Sequence, residues 1–222
     1  MRIGVSGTQC IGKSTFLQDF LKAWPMYKTD TKKYTDYAKE KGLKLNKEGN
    51  EESQMFILNF LCDQIVGQSK DTNLILDRTV LDNLVYTMWL NANDKVPNSF
   101  VKKTIDIVRE TLPFYDIIFF FPITKYSPVN IEKAEHREIN PIYRQEIDVL
   151  FKALMDRYGK HDLVYFPIDH KLGCPALIEI IGNREERIQL TKMYLTPDGT
   201  TFGNEDTLLT DANINKDTNL LM

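Results

Sequence analysis

The feature that most constrains this chain lies near its start, where residues 7–14 fit the P-loop pattern. In that pattern a glycine, four variable residues and Gly-Lys-Ser let the backbone curl, so that its N–H groups point inward at phosphate oxygens. Lys13 then adds positive charge at the β- and γ-phosphates, and the Ser14 hydroxyl binds Mg²⁺. The pattern therefore predicts a site for ATP and Mg²⁺. Its nucleotide-binding residues are Gly7, Thr8, Gln9, Cys10, Ile11, Gly12, Lys13, Ser14 and Thr15.

The residues on either side of this loop give it the required context. Ile3 and Val5 precede it as a short strand, and the apolar spacing of residues 15–21 predicts a helix after it. A helix that begins at the loop points the positive end of its dipole at the same anion site.

Further along, apolar runs alternate with segments of helical spacing. Strands are predicted at 73–78, 116–121 and 163–168, with 26–35 as a weaker candidate and 176–181 ambiguous. Helices are predicted over about 50–70, 80–90, 97–112, 142–158 and 183–195. This alternation predicts an α/β fold, a three-layer sandwich with a parallel sheet.

We expect one domain over residues 1–195, with a lid over about 124–145, where hydrophobic periodicity gives way to basic residues. Residues 196–222 form an acidic tail that we expect to be flexible, since five acids against one lysine give it a charge of −4. No apolar run approaches the roughly 18 residues of a spanning helix, so we expect a cytoplasmic protein with no membrane partner. The three cysteines predict neither a disulfide framework nor a zinc site.

A second candidate element follows the predicted strand at 73–78. A carboxylate at this carboxyl end, Asp77, can bind Mg²⁺ or take a proton from an acceptor hydroxyl, and Arg78 can orient the acceptor. The candidate metal ligands are thus Ser14 and Asp77. A GTPase switch is disfavoured, because Asp77 lacks the glycine of an Asp-x-x-Gly motif and residues 124–127 lack the aspartate of Asn/Thr-Lys-x-Asp.

The run Asp-Arg-Thr-Val-Leu-Asp-Asn at 77–83 resembles the Asp-Arg element of the thymidylate kinase and deoxynucleoside kinase group. Residues 137–144 resemble that group's arginine-bearing lid, which implies that Arg137 and Arg144 close over the phosphates. Residues 143–148 and 182–187 are more like the small P-loop kinases that include the ribosylnicotinamide kinase domain and several bacteriophage enzymes. The resemblance thus implies a P-loop kinase sandwich with a lid, and the candidate catalytic residues are Lys13, Asp77, Arg78, Arg137 and Arg144.

In size and order of elements the chain is similar to the bacteriophage 5-hydroxymethyluridine DNA kinases. That resemblance implies a DNA acceptor and, for a phage protein, the host cytoplasm. Seven lysines between Tyr27 and Lys47 favour an acceptor with neighbouring phosphates, whereas the net charge of −3 weighs against a dedicated nucleic-acid binder.

Other acceptors and one other function stay open. A free deoxynucleoside, thymidylate or another deoxynucleoside monophosphate, and nicotinamide riboside are alternative acceptors. Outside the kinases, a regulatory P-loop ATPase that acts through a protein partner is the alternative. The sequence also leaves the oligomeric state open, with a homodimer among the options.

Overall fold

A computed structural model describes residues 1–30, 34–69, 72–127, 140–160, 165–166 and 174–202. Within these ranges the chain forms a parallel sheet of four strands in the order β2-β1-β3-β4. The strands are β1 Arg2–Ser6, β2 Leu74–Asp77, β3 Ile117–Phe120 and β4 Ala176–Glu179. The helices are α1 Lys13–Ala23, α2 Tyr34–Glu40, α3 Glu51–Val66, α4 Val80–Ala92, α5 Asn98–Thr111, α6 Pro141–Gly159 and α7 Arg184–Thr191, with short 3₁₀ turns at Asn46–Glu48 and Leu112–Phe114.

Alternate strand residues enter two apolar cores, one on each face of the sheet. Ile3 and Val5 pack in one core with Phe16 of α1. Leu76 and Ile118 pack in the other, which the apolar faces of α3, α4, α5 and α6 fill. Because successive side chains of a strand point to opposite faces, apolar runs without alternation bury both faces of this sheet. The predicted three-layer α/β sandwich with a parallel sheet is confirmed.

The strand register brings the predicted site residues to one edge of the sheet. Val5 pairs with Asp77 on one side and with Phe119 on the other, all in parallel. The carboxyl ends of β1, β2 and β3 therefore lie side by side. The loop that leaves β1 after Ser6 and the turn that leaves β2 at Arg78 become neighbours.

Several predicted elements are confirmed and two strands are not. The helix predicted over 50–70 is α3, with Ile57 and Ile65 buried as the spacing requires. In the segment 26–35, Lys28 makes only an isolated bridge with Leu74, because the chain soon turns into α2, which the sequence pattern did not predict. Residues 165–166 lie in a turn, and the rest of 163–168 falls outside the described residues. The ambiguous segment 176–181 instead supplies β4, the edge strand.

The predicted lid and tail are described only in part. Residues 128–139, including Arg137, lie outside the described residues, while the end of the predicted lid, residues 141–145, is the first turn of α6. The described start of the predicted tail packs against the end of α1 and the turn after it: the indole of Trp24 donates to the carbonyl oxygen of Thr196 at 2.8 Å, and the Tyr27 hydroxyl donates to that of Gly199 at 2.6 Å. Residues 203–222 lie outside the described part of the chain.

None of the helices that the structure describes is long and apolar enough to cross a membrane.

Candidate active site

The P-loop turns sharply between β1 and α1, and its glycines permit the turn. Gly7 has φ 141° and Gly12 has φ 89°, values that side chains rarely tolerate. A Cβ on Gly7 would lie 2.6 Å from the carbonyl oxygen of Phe121, so this position also needs glycine for space. The required order of strand, loop and helix that the sequence predicts is thus present, with the loop at the amino end of α1.

Lys13 is buried beneath the loop that it follows. Its ammonium group donates to the carbonyl oxygens of Gly7 at 2.7 Å and Thr8 at 2.8 Å. Burial and, to a smaller extent, the nearby positive charge of Arg78 lower its pKa from 10.5 to about 8, although the negative charges of Asp82 and Asp77 act in the opposite direction. A bound triphosphate would place negative charge next to this ammonium group and stabilise its protonated form.

Ser14 and Asp77 meet as the metal prediction requires. The Ser14 hydroxyl, exposed in the first turn of α1, donates to a carboxylate oxygen of Asp77 at 3.0 Å. A magnesium ion in such sites takes one or two protein oxygens and fills its remaining positions with phosphate oxygens and water. The pair fits that demand. Thr15, the next residue of α1, is exposed beside them.

Arg78 is held in place from several directions at the turn after β2. Its backbone has φ 83°, a left-handed conformation that is unusual for an arginine. Its guanidinium donates to Asp82 at 3.2 Å and lies over the rings of Tyr86 at 5.4 Å and Tyr34 at 5.9 Å. Burial raises the pKa of the Asp82 carboxyl, which the positive charges of Arg78 and Lys13 oppose.

A buried hydroxyl pair connects this turn to β1. The hydroxyls of Ser6 and Thr79 are 2.7 Å apart, and Thr79 caps α4 together with Asp82. These contacts fix the spacing between the end of β1 and the start of α4, and hence between the P-loop and Arg78.

A narrow pocket opens beyond Arg78, and its polar lining was not predicted from the sequence. Gln54 of α3 and Asn83 of α4 lie in it side by side. The Asn83 amide donates to the backbone carbonyl oxygen of Gln54 at 2.9 Å and to its side-chain oxygen at 3.0 Å. The carbonyl oxygen of the Asn83 side chain is buried and has no hydrogen-bond partner among the described residues. A buried, unpaired acceptor beside a second amide suits a polar ligand with both donors and acceptors. The pocket lining comprises Tyr34, Leu45, Asn46, Gln54, Ile57, Leu61, Arg78, Asp82, Asn83 and Tyr86.

One sequence signal for this pocket was present. Gln54 lies on the apolar stripe of α3, three and seven residues before Ile57 and Leu61, and a polar residue on a buried stripe needs an explanation. The aspartate and asparagine at 82 and 83 belong to the quoted Asp-Arg run, but no role was predicted for either.

Two arginines donate hydrogen bonds to carbonyl oxygens of the P-loop. Arg144 was predicted to close over the phosphates, but here it is largely buried in the first turn of α6 and donates to the carbonyl oxygens of Gln9 at 3.0 Å and Cys10 at 3.1 Å. Arg187 of α7, for which no role was predicted, donates to that of Ile11 at 2.9 Å. The structure therefore brings Lys13, Ser14, Asp77, Arg78 and Arg144 together around the loop, while Arg137 lies outside the described residues.

Comparisons with known proteins agree with this fold. Residues 2–168 match the family model described as AAA domain. A deoxyadenosine kinase structure from M. mycoides with dCMP and dCDP bound is similar at a TM-score of 0.58 and 18% identity, over 86% of this chain and 96% of that one. NadR in complex with NR gives 0.59 and 14% over 86% of this chain and half of that one, 50%. Thymidylate kinase from Candida albicans gives 0.57 and 14%, over 86% and 88%. No curated protein matches the sequence.

Proposed function

Because this chain belongs to the AAA domain family and has the fold of P-loop nucleoside and nucleotide kinases, we propose that it is an ATP-dependent phosphotransferase. The observation that carries the proposal is the Arg78 turn. On one side of it lies the Ser14–Asp77 pair, and on the other lies the pocket of Gln54 and Asn83. A kinase needs such an arrangement, because phosphoryl transfer is mainly a matter of positioning two substrates in line.

Each residue has a role in this proposal. The P-loop amides and Lys13 hold the β- and γ-phosphates. Ser14 and Asp77 would hold a magnesium ion, which would supply positive charge beside the transferred group. Arg78, fixed by Asp82, orients the acceptor. The acceptor oxygen forms a bond to the γ-phosphorus as the bond to ADP breaks, and the hydroxyl proton passes to a carboxylate. Asp77 is proposed for one of two roles, as this base or as a magnesium ligand. Arg137 remains a proposed phosphate ligand, whereas Arg144 donates to carbonyl oxygens of the P-loop and is proposed to hold the loop.

The pocket supports a nucleobase as the part of the acceptor that is recognised. Neighbouring amide groups can pair with the donor and acceptor edge of a base, and the tyrosines at 34 and 86 supply ring surface. The similar structures were solved with related ligands, dCMP in one case and NR in another. A nucleoside unit is therefore the acceptor class that we propose, and a pyrimidine deoxynucleotide is its preferred form.

We prefer 5-hydroxymethyluridine within DNA as the specific acceptor, with transfer to the hydroxymethyl group. The supporting observation is exposed positive charge in the segment that joins two of the pocket residues. Lys39, Lys41 and Lys44 are exposed on α2 and just after it, between two pocket residues, Tyr34 and Leu45. Phosphates that flank a base in a DNA chain would find cations there, whereas a free nucleoside would not need them.

The test is a transfer assay with γ-labelled ATP. The acceptors are free nucleosides including nicotinamide riboside, free nucleotides, plain DNA and DNA that contains hydroxymethyluridine, each at two salt concentrations. The proposal predicts label on the modified DNA, with an affinity that falls steeply as salt rises.

A lysine variant sharpens this assay. Lys39→Ala/Lys41→Ala/Lys44→Ala should weaken transfer to DNA and flatten its salt dependence, whereas Lys102→Ala/Lys103→Ala, which removes exposed charge on α5, should not. Transfer to a free nucleoside or nucleotide with none to modified DNA would reject the DNA acceptor and keep the kinase.

A further inference from the structure

Every carbonyl oxygen along the P-loop from residue 7 to residue 11 accepts a hydrogen bond from a cationic side chain. Lys13 takes the first two, Arg144 the next two and Arg187 the last. Three positive groups, each from a different part of the sequence, thus cover five successive carbonyl groups.

Because the peptide bond is planar, these contacts to the carbonyl oxygens also set the direction of the N–H groups at the anion site. In a trans peptide the C=O of one residue and the N–H of the next point in opposite directions. A side chain that holds the carbonyl of Ile11 outward therefore directs the N–H of Gly12 to the opposite side. In a P-loop that is the side on which the N–H groups donate hydrogen bonds to phosphate oxygens. Orientation of the carbonyls and affinity for phosphate are coupled.

Arg187 is a buried residue that joins the P-loop to the turn before α7. It is 6% exposed, and its Nε donates to the carbonyl oxygen of Gly182 at 3.0 Å while an Nη donates to that of Ile11. Its guanidinium lies over the ring of Phe121 at 5.1 Å, and a Cβ on Gly12 would come within 2.8 Å of it. No carboxylate in the described part of the chain pairs with it.

A buried cation without an acidic partner is costly, and burial lowers the pKa of this guanidinium accordingly. A methionine of similar length would fill the same space without that cost. The positive charge is therefore stabilised by two carbonyl oxygens that accept hydrogen bonds from it. One belongs to the P-loop and the other to the turn before α7.

We propose that Arg187 is a positioning residue of the nucleotide site, which holds the Ile11–Gly12 peptide so that its N–H faces the phosphates of ATP. The inference rests on the proposed function only in that residues 7–14 bind a nucleotide; it does not depend on the acceptor. Arg187 does not contact the substrate. Its effect reaches the phosphates through one peptide plane.

The experiment compares Arg187→Met and Arg187→Lys with the wild type. Affinities for ATP and for inorganic tripolyphosphate are measured by calorimetry, and thermal unfolding is followed by circular dichroism. Arg184→Met is the matched control, because Arg184 lies one turn earlier on α7 and pairs with Asp19 of α1 at 2.5 Å without touching the loop.

We expect Arg187→Met to lose on the order of ten- to a hundredfold in affinity for both ligands, since it removes a hydrogen bond from a charged donor to the Ile11 carbonyl oxygen. Arg187→Lys, whose single ammonium cannot reproduce the fork of the guanidinium, should recover part of the loss. Arg184→Met should bind both ligands as the wild type does. A role in folding alone would lower the unfolding midpoint and leave these affinities unchanged.

Wild-type affinity in Arg187→Met would overturn the inference, as would a loss for ATP without one for tripolyphosphate. Should Arg187→Met fail to fold, Arg187→Lys decides the question: weakened tripolyphosphate binding supports the inference and unchanged binding overturns it. A wild-type protein that binds ATP but phosphorylates no acceptor would reject the proposed kinase and leave the role of Arg187 intact. A wild-type protein that binds neither ligand would reject both.

Discussion

The two halves of the candidate site differ in how they are built. The nucleotide side is a single loop with its flanking strand and helix, and its residues lie within a short stretch of sequence. The acceptor side is assembled from α3, the turn after β2, α4 and the segment around Leu45. One half comes from local backbone geometry, and the other comes from tertiary packing.

This difference has consequences for what each half can tolerate. The loop needs its glycines and its lysine because they set backbone direction and charge at the phosphates. In the proposed function the pocket recognises a base through the amides of Gln54 and Asn83, so a change in either amide should alter which base edge is accepted. Substitutions on the nucleotide side should therefore affect every acceptor equally, and substitutions in the pocket should affect some acceptors more than others.

The largest effect is expected from Lys13→Ala on the nucleotide side. Turnover should fall by about two to three orders of magnitude, because the main positive charge on the transferring phosphoryl group is lost. The unfolding midpoint should change little, because losing two hydrogen bonds to the P-loop carbonyl oxygens is offset by no longer burying an ammonium group. Steady-state transfer kinetics and thermal unfolding measure the two quantities. Lys22→Ala, on an exposed position of the same helix, is the control, and full activity in Lys13→Ala would exclude the predicted nucleotide site.

A smaller and more selective effect is expected on the acceptor side. Gln54→Ala should raise the KM for the acceptor by about ten- to a hundredfold while the affinity for ATP stays unchanged, because a base would lose hydrogen bonds in a desolvated pocket. Asn59→Ala removes an exposed amide from the same helix and should have no effect. Comparison of KM values with calorimetric ATP affinities checks the prediction. Equal losses for ATP and acceptor would show that Gln54 supports the fold and not recognition.

The pH dependence of nucleotide binding sharpens the contrast further. The pKa of Lys13 is about 8 without ligand, and nearby phosphates must raise it. ATP binding therefore takes up a proton above about pH 8, and the affinity should fall by up to about tenfold per pH unit above that value. Calorimetry with metal-free ATP from pH 7 to pH 10 measures this fall. Lys13→Met should abolish it, and a flat profile in the wild type would contradict the lowered pKa.

The smallest effect is expected from shortening the chain, which should leave both halves of the site intact. A chain that ends at residue 202 should keep its turnover and its unfolding midpoint. A chain that ends at residue 197 should also keep its turnover but unfold more easily by about 1–3 kcal/mol, because the buried Tyr27 hydroxyl loses its bond to Gly199. Chemical denaturation of the two variants gives the difference. A large loss of turnover would mean that the removed segment reaches the site.

The same contrast explains what could be predicted from sequence. The loop, Ser14 and Asp77 followed from a motif and from the rule that parallel strands end at one edge, which the register of Val5 with Asp77 confirms. The partnership of Gln54 with Asn83 joins residues on different helices, and spacing along the chain carries no information about it. The hydrogen bond from Arg187 to the loop joins residues 176 positions apart, so it can be identified only from the packed fold.

The most direct test of a site with a nucleotide half and an acceptor half is the fate of the γ-phosphate in the wild-type protein. Labelled ATP is incubated with and without the acceptor panel, and label is followed on both inorganic phosphate and acceptor. The proposed function predicts slow release of phosphate without an acceptor and rapid transfer to a nucleoside unit when one is present. Rapid hydrolysis that no acceptor diverts, and that depends on a protein partner, would contradict it and identify a regulatory ATPase.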